Sequence, residues 1–171
     1  MVFSGLPGTG KTTIARRVSA TLGAVYLRID TIEDALARST LAIEQAEDAG
    51  YLAAHDLAAD NLALGRTVVA DSVNAIALTR AAWHRLAREA GCPALDVELL
   101  CSDPAMHRAR VEARHTDGTR RRQPTWEAVL TRYYEPWSDG PLTLDTATLS
   151  ADAAAARIVA AVADASQAAR A

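Results

Sequence analysis

A chain of 171 residues, half of them apolar, has the length of one domain and can bury roughly 70% of its unfolded surface. Its net charge of −3 excludes a general affinity for nucleic acid that rests on total charge. With no apolar run near the ~18 residues of a membrane span, and no basic region leading into an apolar stretch at the amino terminus, a cytoplasmic protein is expected.

The elements are read in chain order from apolar spacing and cap residues. Val2–Ser4 is a strand stub that enters a glycine loop. Thr12–Leu22 has the spacing of a helix, with Ile14, Val18 and Leu22 on one face and Gly23 as its C-cap. Val25–Asp30 alternates like a strand, and Thr31-Ile32-Glu33-Asp34 reads as a capping box that opens a helix. A helix is expected from about Tyr51 to Leu64, ending at Gly65. Thr67–Asp71 is a strand. Thr79–Ala90 is a helix with Trp83 and Leu86 inward, and Leu95–Cys101 is a strand. Asp103-Pro104 starts a helix that runs to about Arg114. A loop covers 115–124, and Thr125 caps a helix carrying Trp126, Val129, Leu130 and Tyr133. A last strand at 142–146 precedes an Ala-rich helix capped by Ser150. This alternation predicts a parallel sheet covered on both faces, in a single domain spanning 1–171.

Gly5 to Thr12 read GLPGTGKT, the G-x-x-x-x-G-K-[ST] pattern of loops that cradle nucleotide phosphates. Gly5, Gly8 and Gly10 let the backbone turn its N–H groups inward, and Pro7, Thr9 and Thr13 complete the nucleotide-binding set. Lys11 is placed to reach the β- and γ-phosphates, and the Thr12 hydroxyl to ligate Mg²⁺. Lys11 is the only lysine in the chain, which makes its presence at this position more telling.

The length of helix after Lys11 nearly equals the length of strand that follows, so Asp30 is expected near the phosphate loop. Ligands of open parallel sheets bind at that edge. A carboxylate there can take the proton of an attacking hydroxyl; the alternative is that Asp30 only starts the next helix. Arg28 lies on the same side and either pairs with Asp30 or touches substrate. Asp71 ends an apolar strand and is a candidate for Mg²⁺ or for the acceptor. Asn74 is a candidate acceptor contact, as is Ser72 more weakly, and both are also ordinary turn residues. Arg108, Arg110, Arg114, Arg120, Arg121 and Arg122 crowd one segment, with Arg110 and Arg114 on a shared helix face. They suggest a lid at about 107–124 that closes over a triphosphate, or else a solvated basic face or RNA patch. Asp145-Thr146 is a weak candidate for nucleobase contact. The tryptophans and tyrosines read as packing residues, and the four histidines show no metal-ligand spacing. Cys92 and Cys101 read as core filling in a reducing compartment.

With these residues placed, the chain resembles a small P-loop kinase of the group containing chloramphenicol phosphotransferase, gluconate kinase and polynucleotide 5′-hydroxyl kinase. The resemblance spans about residues 2–165. It rests on GLPGTGKT, RIDTIEDAL (28–36), VVADSVN (68–74) and HRARVEAR (107–114). It implies an α/β three-layer P-loop NTPase fold with a five-stranded parallel sheet, ATP with Mg²⁺, Asp30 as base and Arg110 or Arg114 in the lid. Polynucleotide kinases carry an Arg three positions after the base; here Glu33 stands there and would repel a phosphate. The expected acceptor is therefore a small-molecule hydroxyl, with a nucleoside or polynucleotide 5′-hydroxyl as the second acceptor class. An NTP-binding regulator or ATPase without acceptor is the reading from another class. A GTPase N-K-x-D motif is impossible in a chain whose sole lysine is Lys11.

Overall fold

The computed structural model describes residues 1–43, 45–116, 123–138 and 140–168, with 114–116 and 166–168 described by backbone alone. Five strands, β1 (Val2–Ser4), β2 (Val25–Arg28), β3 (Val68–Asp71), β4 (Asp96–Leu100) and β5 (Leu142–Asp145), form one sheet in the order β2-β3-β1-β4-β5. Every neighbouring pair is parallel. The helices are α1 (Lys11–Leu22), α2 (Ile29–Arg38), α3 (Ala49–Ala63), α4 (Ala77–Glu89), α5 (Pro104–Thr116), α6 (Trp126–Leu130) and α7 (Ala151–Ala168).

Strand alternation assigns the two faces of the sheet. Phe3, Val69, Val97, Leu99 and Leu144 pack with Ile14 and Val18 of α1 and Ala154 and Ile158 of α7. Val2, Leu27, Val68 and Ala70 pack with Ala54 and Ala58 of α3 and Trp83 of α4. The strands β1 and β3 therefore bury both faces, as parallel strands under crossover helices do, while β4 and β5 fully bury only the face of Val97, Leu99 and Leu144. Asp71 shares the parity of Val69, and Tyr26 and Arg28 are offset from Leu27. This directs all three side chains toward α1, where the phosphate loop begins.

Several boundaries differ from the sequence expectation. Strand β2 ends at Arg28, two residues before Asp30, because its partner β3 ends at Asp71 in register with Arg28. The chain turns directly into α2, whose N-cap is Arg28 without a side-chain cap, so the expected capping box at Thr31–Asp34 lies inside the helix. Helix α4 starts at Ala77 rather than Thr79, where its N–H donates to Glu135 Oε2 at 2.7 Å. Helix α6 stops at Leu130, leaving Tyr133 exposed outside it. The caps at Asp103, Thr125 and Ser150 form as expected, each accepting from backbone N–H groups of the first turn.

Gly5 sets a stringent packing condition. Its φ is +133°, and a Cβ there would lie 2.2 Å from the Leu99 carbonyl oxygen of β4. Neither backbone can yield inside the sheet, so Gly5→Ala is expected to cost about 3 kcal/mol of stability in chemical denaturation.

Candidate active site

The loop between β1 and α1 wraps around the Leu6 carbonyl, which accepts from Lys11 Nζ at 2.8 Å and Thr9 Oγ1 at 2.9 Å. Lys11 is buried at the first position of α1, behind Gly10 as N-cap. The helix N-terminus and the turned loop thus face the same point, where an anion is favoured. Gly8 has φ +92°, and a Cβ on it would meet Val111 at 2.6 Å and His107 at 2.8 Å. Helix α5 therefore lies directly against the loop.

One helical residue past Lys11, the Thr12 hydroxyl donates to Asp71 Oδ2 at 2.8 Å. The same oxygen accepts from the Tyr26 hydroxyl at 2.6 Å and lies 3.5 Å from Arg28 Nε. Burial pushes the Tyr26 phenol well above its ordinary range, and the Asp71 charge beside it adds to that shift. Tyr26 therefore stays protonated and acts as a donor to Asp71. Arg28 also reaches Asp30, with Nη2 2.6 Å from Oδ2. Asp30 lies in the first turn of α2 at the carboxyl edge of the sheet, joined to Asp71 through Arg28. Of the two roles weighed for Arg28, the ion pair with Asp30 is the one observed.

Asn74 is a strut of the β3–α4 turn and not a surface group available to an acceptor. It is fully buried, its Nδ2 donates to the Phe3 carbonyl at 2.8 Å, and its own N–H donates to the Tyr51 hydroxyl. The turn folds inward because a buried end of β1 needs a donor that the short ladder does not supply.

Arg80 organises this edge, a role that spacing along the chain did not reveal. Its buried guanidinium donates to the carbonyls of Asn74, Ala75, Glu135 and Pro136, at 2.6–3.3 Å. It also lies 4.1 Å over the Trp137 ring and 5.1 Å over Tyr134. The β3–α4 turn and the 134–137 segment are thereby tied together. Burial raises the Tyr134 phenol to about 12. Arg80→Met is expected to cost about 3 kcal/mol by leaving buried carbonyls without donors, and Arg80→Lys should recover less than half of it, as judged by urea denaturation.

The arginine segment divides. Arg110 is fixed by Thr146, with Nη1 2.8 Å from Oγ1 and Nη2 3.0 Å from the carbonyl. Both terminal nitrogens of Arg110, expected to cover the transferred phosphate, are here directed to acceptors of one residue. Thr146 Oγ1 in turn lies 3.0 Å from the Thr9 carbonyl. The Arg114 side chain and Arg120, Arg121 and Arg122 lie outside the described residues. Arg108 points outward and pairs with Glu112. A cavity of about 350 Å³ opens beside the loop between Gly8, Gly10, Thr13, Arg110, Thr146 and Leu149. Asp145, the residue before Thr146, accepts from the Ser102 and Ala147 N–H groups and the Ser102 hydroxyl, which hold its carboxyl below the usual range.

Helix α5 contributes a second residue that spacing did not reveal. His107 is buried, its Nε2 lies 2.7 Å from the Pro7 carbonyl, and its ring meets the Trp126 ring edge-on at 5.2 Å. Among the described residues no helix is long and apolar enough to cross a membrane.

The fold is shared with solved P-loop kinases. A candidate kinase of Chloroflexus aurantiacus superposes with a TM-score of 0.77 at 20% identity, covering 96% of this chain and 95% of that one. Chaetomium thermophilum Kti12, solved with ADP-AlF3, gives 0.70 at 22% identity over 96% and 97%. The Mycobacterium tuberculosis APS kinase CysC, solved with AMPPNP and APS, gives 0.64 at 18% identity over 94% and 95%. Among curated protein sequences none matches. A family model described as an AAA domain matches residues 1–136, which include the phosphate loop, Asp30, Asp71, Arg80 and His107, and the chain belongs to that family.

Proposed function

We propose that this protein transfers the γ-phosphoryl group of ATP to a hydroxyl of a small molecule. The observation that supports this most is the meeting at one sheet edge of the Thr12 hydroxyl and the Asp71 carboxylate, 2.8 Å apart, with Asp30 tethered beside them by Arg28.

Two hard oxygens on adjoining elements suit Mg²⁺, which takes one or two protein oxygens and completes its shell with water and phosphate. When bound, the ion neutralises charge between the β- and γ-phosphates. Lys11 exchanges its bond to the Leu6 carbonyl for the phosphates. The cavity between Arg110, Thr146 and Leu149 suits the nucleobase.

In the transfer itself the acceptor oxygen forms a bond to the γ-phosphorus as the bond to the β,γ-bridging oxygen breaks. Asp30 receives the hydroxyl proton, and ADP leaves with the bridging oxygen. Arg28 holds the Asp30 carboxylate at Oδ2 and so fixes it beside Asp71 at this edge. Glu33, one turn further along α2, packs against Gly50 of α3 and adds negative charge to this wall. This favours an acceptor without a phosphate of its own.

The test is incubation with γ-labelled ATP and Mg²⁺ across hydroxylated small molecules, nucleosides and 5′-hydroxyl oligonucleotides. Label on a small alcohol is the expected result. Label on oligonucleotides alone would move the acceptor to nucleic acid. Label recovered only as free phosphate would replace the kinase reading with an ATPase or regulator.

A further inference from the structure

We propose that His107 is a positioning residue that sets the phosphate loop from outside, by holding the Pro7 carbonyl so that the Gly8 N–H points toward the bound phosphates. The inference rests on the reading of GLPGTGKT as a nucleotide site, and not on phosphoryl transfer to an acceptor.

In a trans peptide the C=O and N–H point in opposite directions. The Pro7–Gly8 peptide is trans, and its carbonyl faces α5, where His107 Nε2 lies 2.7 Å away. The Gly8 N–H at the other edge of that plane therefore faces away from α5. Gly8 has φ +92° and no Cβ, so its own sterics leave the peptide free to rotate. The loop sequence alone does not hold this plane; a donor on α5 does.

His107 is well suited to such a task. Its ring is buried, and a carbonyl partner requires the Nε2-protonated form. The ring is backed edge-on by Trp126, the first residue of α6 and the residue after the Thr125 cap. Val111, one turn along α5, packs beside His107 against the same side of Gly8. One further contact joins α5 to the loop: Arg110 holds Thr146, whose hydroxyl lies against the Thr9 carbonyl. The helices on either side of segment 117–125 thus meet at His107, on the carbonyl that orients one phosphate donor. A shift of α5 or α6 would reach the phosphates through one imidazole.

The test compares His107→Phe, which keeps a ring against Trp126 but has no donor, with His107→Gln, whose amide nitrogen can occupy the Nε2 position. Affinity for a fluorescent ADP analogue is measured at equilibrium, with Lys11→Ala as the phosphate-site control. His107→Phe is expected to weaken binding about tenfold, and His107→Gln to return it to within about threefold of wild type. The nucleotide-induced shift of the Gly8 amide resonance should persist in His107→Gln and shrink in His107→Phe. A merely structural role would instead lower the melting temperature and leave that shift in place. If the Phe variant does not fold, the tautomer in the wild-type protein decides, since the proposal requires a protonated Nε2 with and without nucleotide. Equal affinity in His107→Phe and wild type, or a bare Nε2, would overturn the proposal while leaving the nucleotide site intact. A wild-type protein that binds no nucleotide would overturn both.

Discussion

Asp30→Asn should lower phosphoryl transfer about 1000-fold while leaving ATP affinity within about twofold of wild type. The amide keeps an oxygen for Arg28, so the geometry of the tether at 2.6 Å need not change. What it loses is the ability to accept a proton. The Asp30 side chain is half exposed and sits at a helix start, so its replacement should leave the melting temperature nearly unchanged. It is joined to Arg28, and through it to Asp71, whereas the loop is wound around the Leu6 carbonyl by Lys11 and Thr9, which is why nucleotide affinity should survive. The measurement pairs single-turnover transfer to the acceptor with calorimetric ATP titration. Transfer at the wild-type rate would remove Asp30 from the base role and redirect attention to Asp71. A parallel loss of ATP binding would mean that Asp30 acts on the nucleotide side.

Lys11→Ala should weaken ATP binding about 100-fold and reduce transfer by a further factor of about 100. The ammonium is the one lysine charge in the chain, and it is buried at the N-terminus of α1. Its partner in the nucleotide-free loop, the Leu6 carbonyl, also accepts from Thr9, so the loop keeps an internal donor when Lys11 is removed. Folding stability should therefore fall by less than about 1 kcal/mol, in contrast to Gly5→Ala. Titration calorimetry and thermal melts separate the two effects. If Lys11→Ala unfolds the protein instead, the lysine is a strut of the loop before it is a ligand.

The parts of the site legible in the sequence are those carried by local pattern. GLPGTGKT needs no long-range contact to be recognised, since glycines and a lysine at those offsets are themselves the device. Asp71 was legible because it ends an apolar run, and Asp30 because helix and strand lengths nearly cancel. Arg80 was not legible, since two of its four acceptors, the Glu135 and Pro136 carbonyls, become neighbours only when that segment crosses over the β3–α4 turn. His107 was hidden for the same reason, as its partner Pro7 is 100 residues away. Asn74 and Arg110 were placed in the correct neighbourhood, but burial and partner choice altered what they do. An Asn or Arg spends its donors on whichever carbonyls the packed chain presents, and sequence spacing does not say which carbonyls those are.

By itself the sequence determined the alternation of strands and helices, the parallel sheet, and the phosphate loop with its lysine. Periodicity, caps and glycine offsets act over a few residues and are written in order along the chain. Only the tertiary structure decided the strand order β2-β3-β1-β4-β5, the end of β2 at Arg28, and the pairing of Thr12 with Asp71. It also decided that Arg110 grips Thr146 and that His107 grips Pro7. These outcomes depend on which backbone groups lack partners once the sheet has closed. That need is set by contacts between residues 36 to 100 positions apart and appears in no single stretch of the chain.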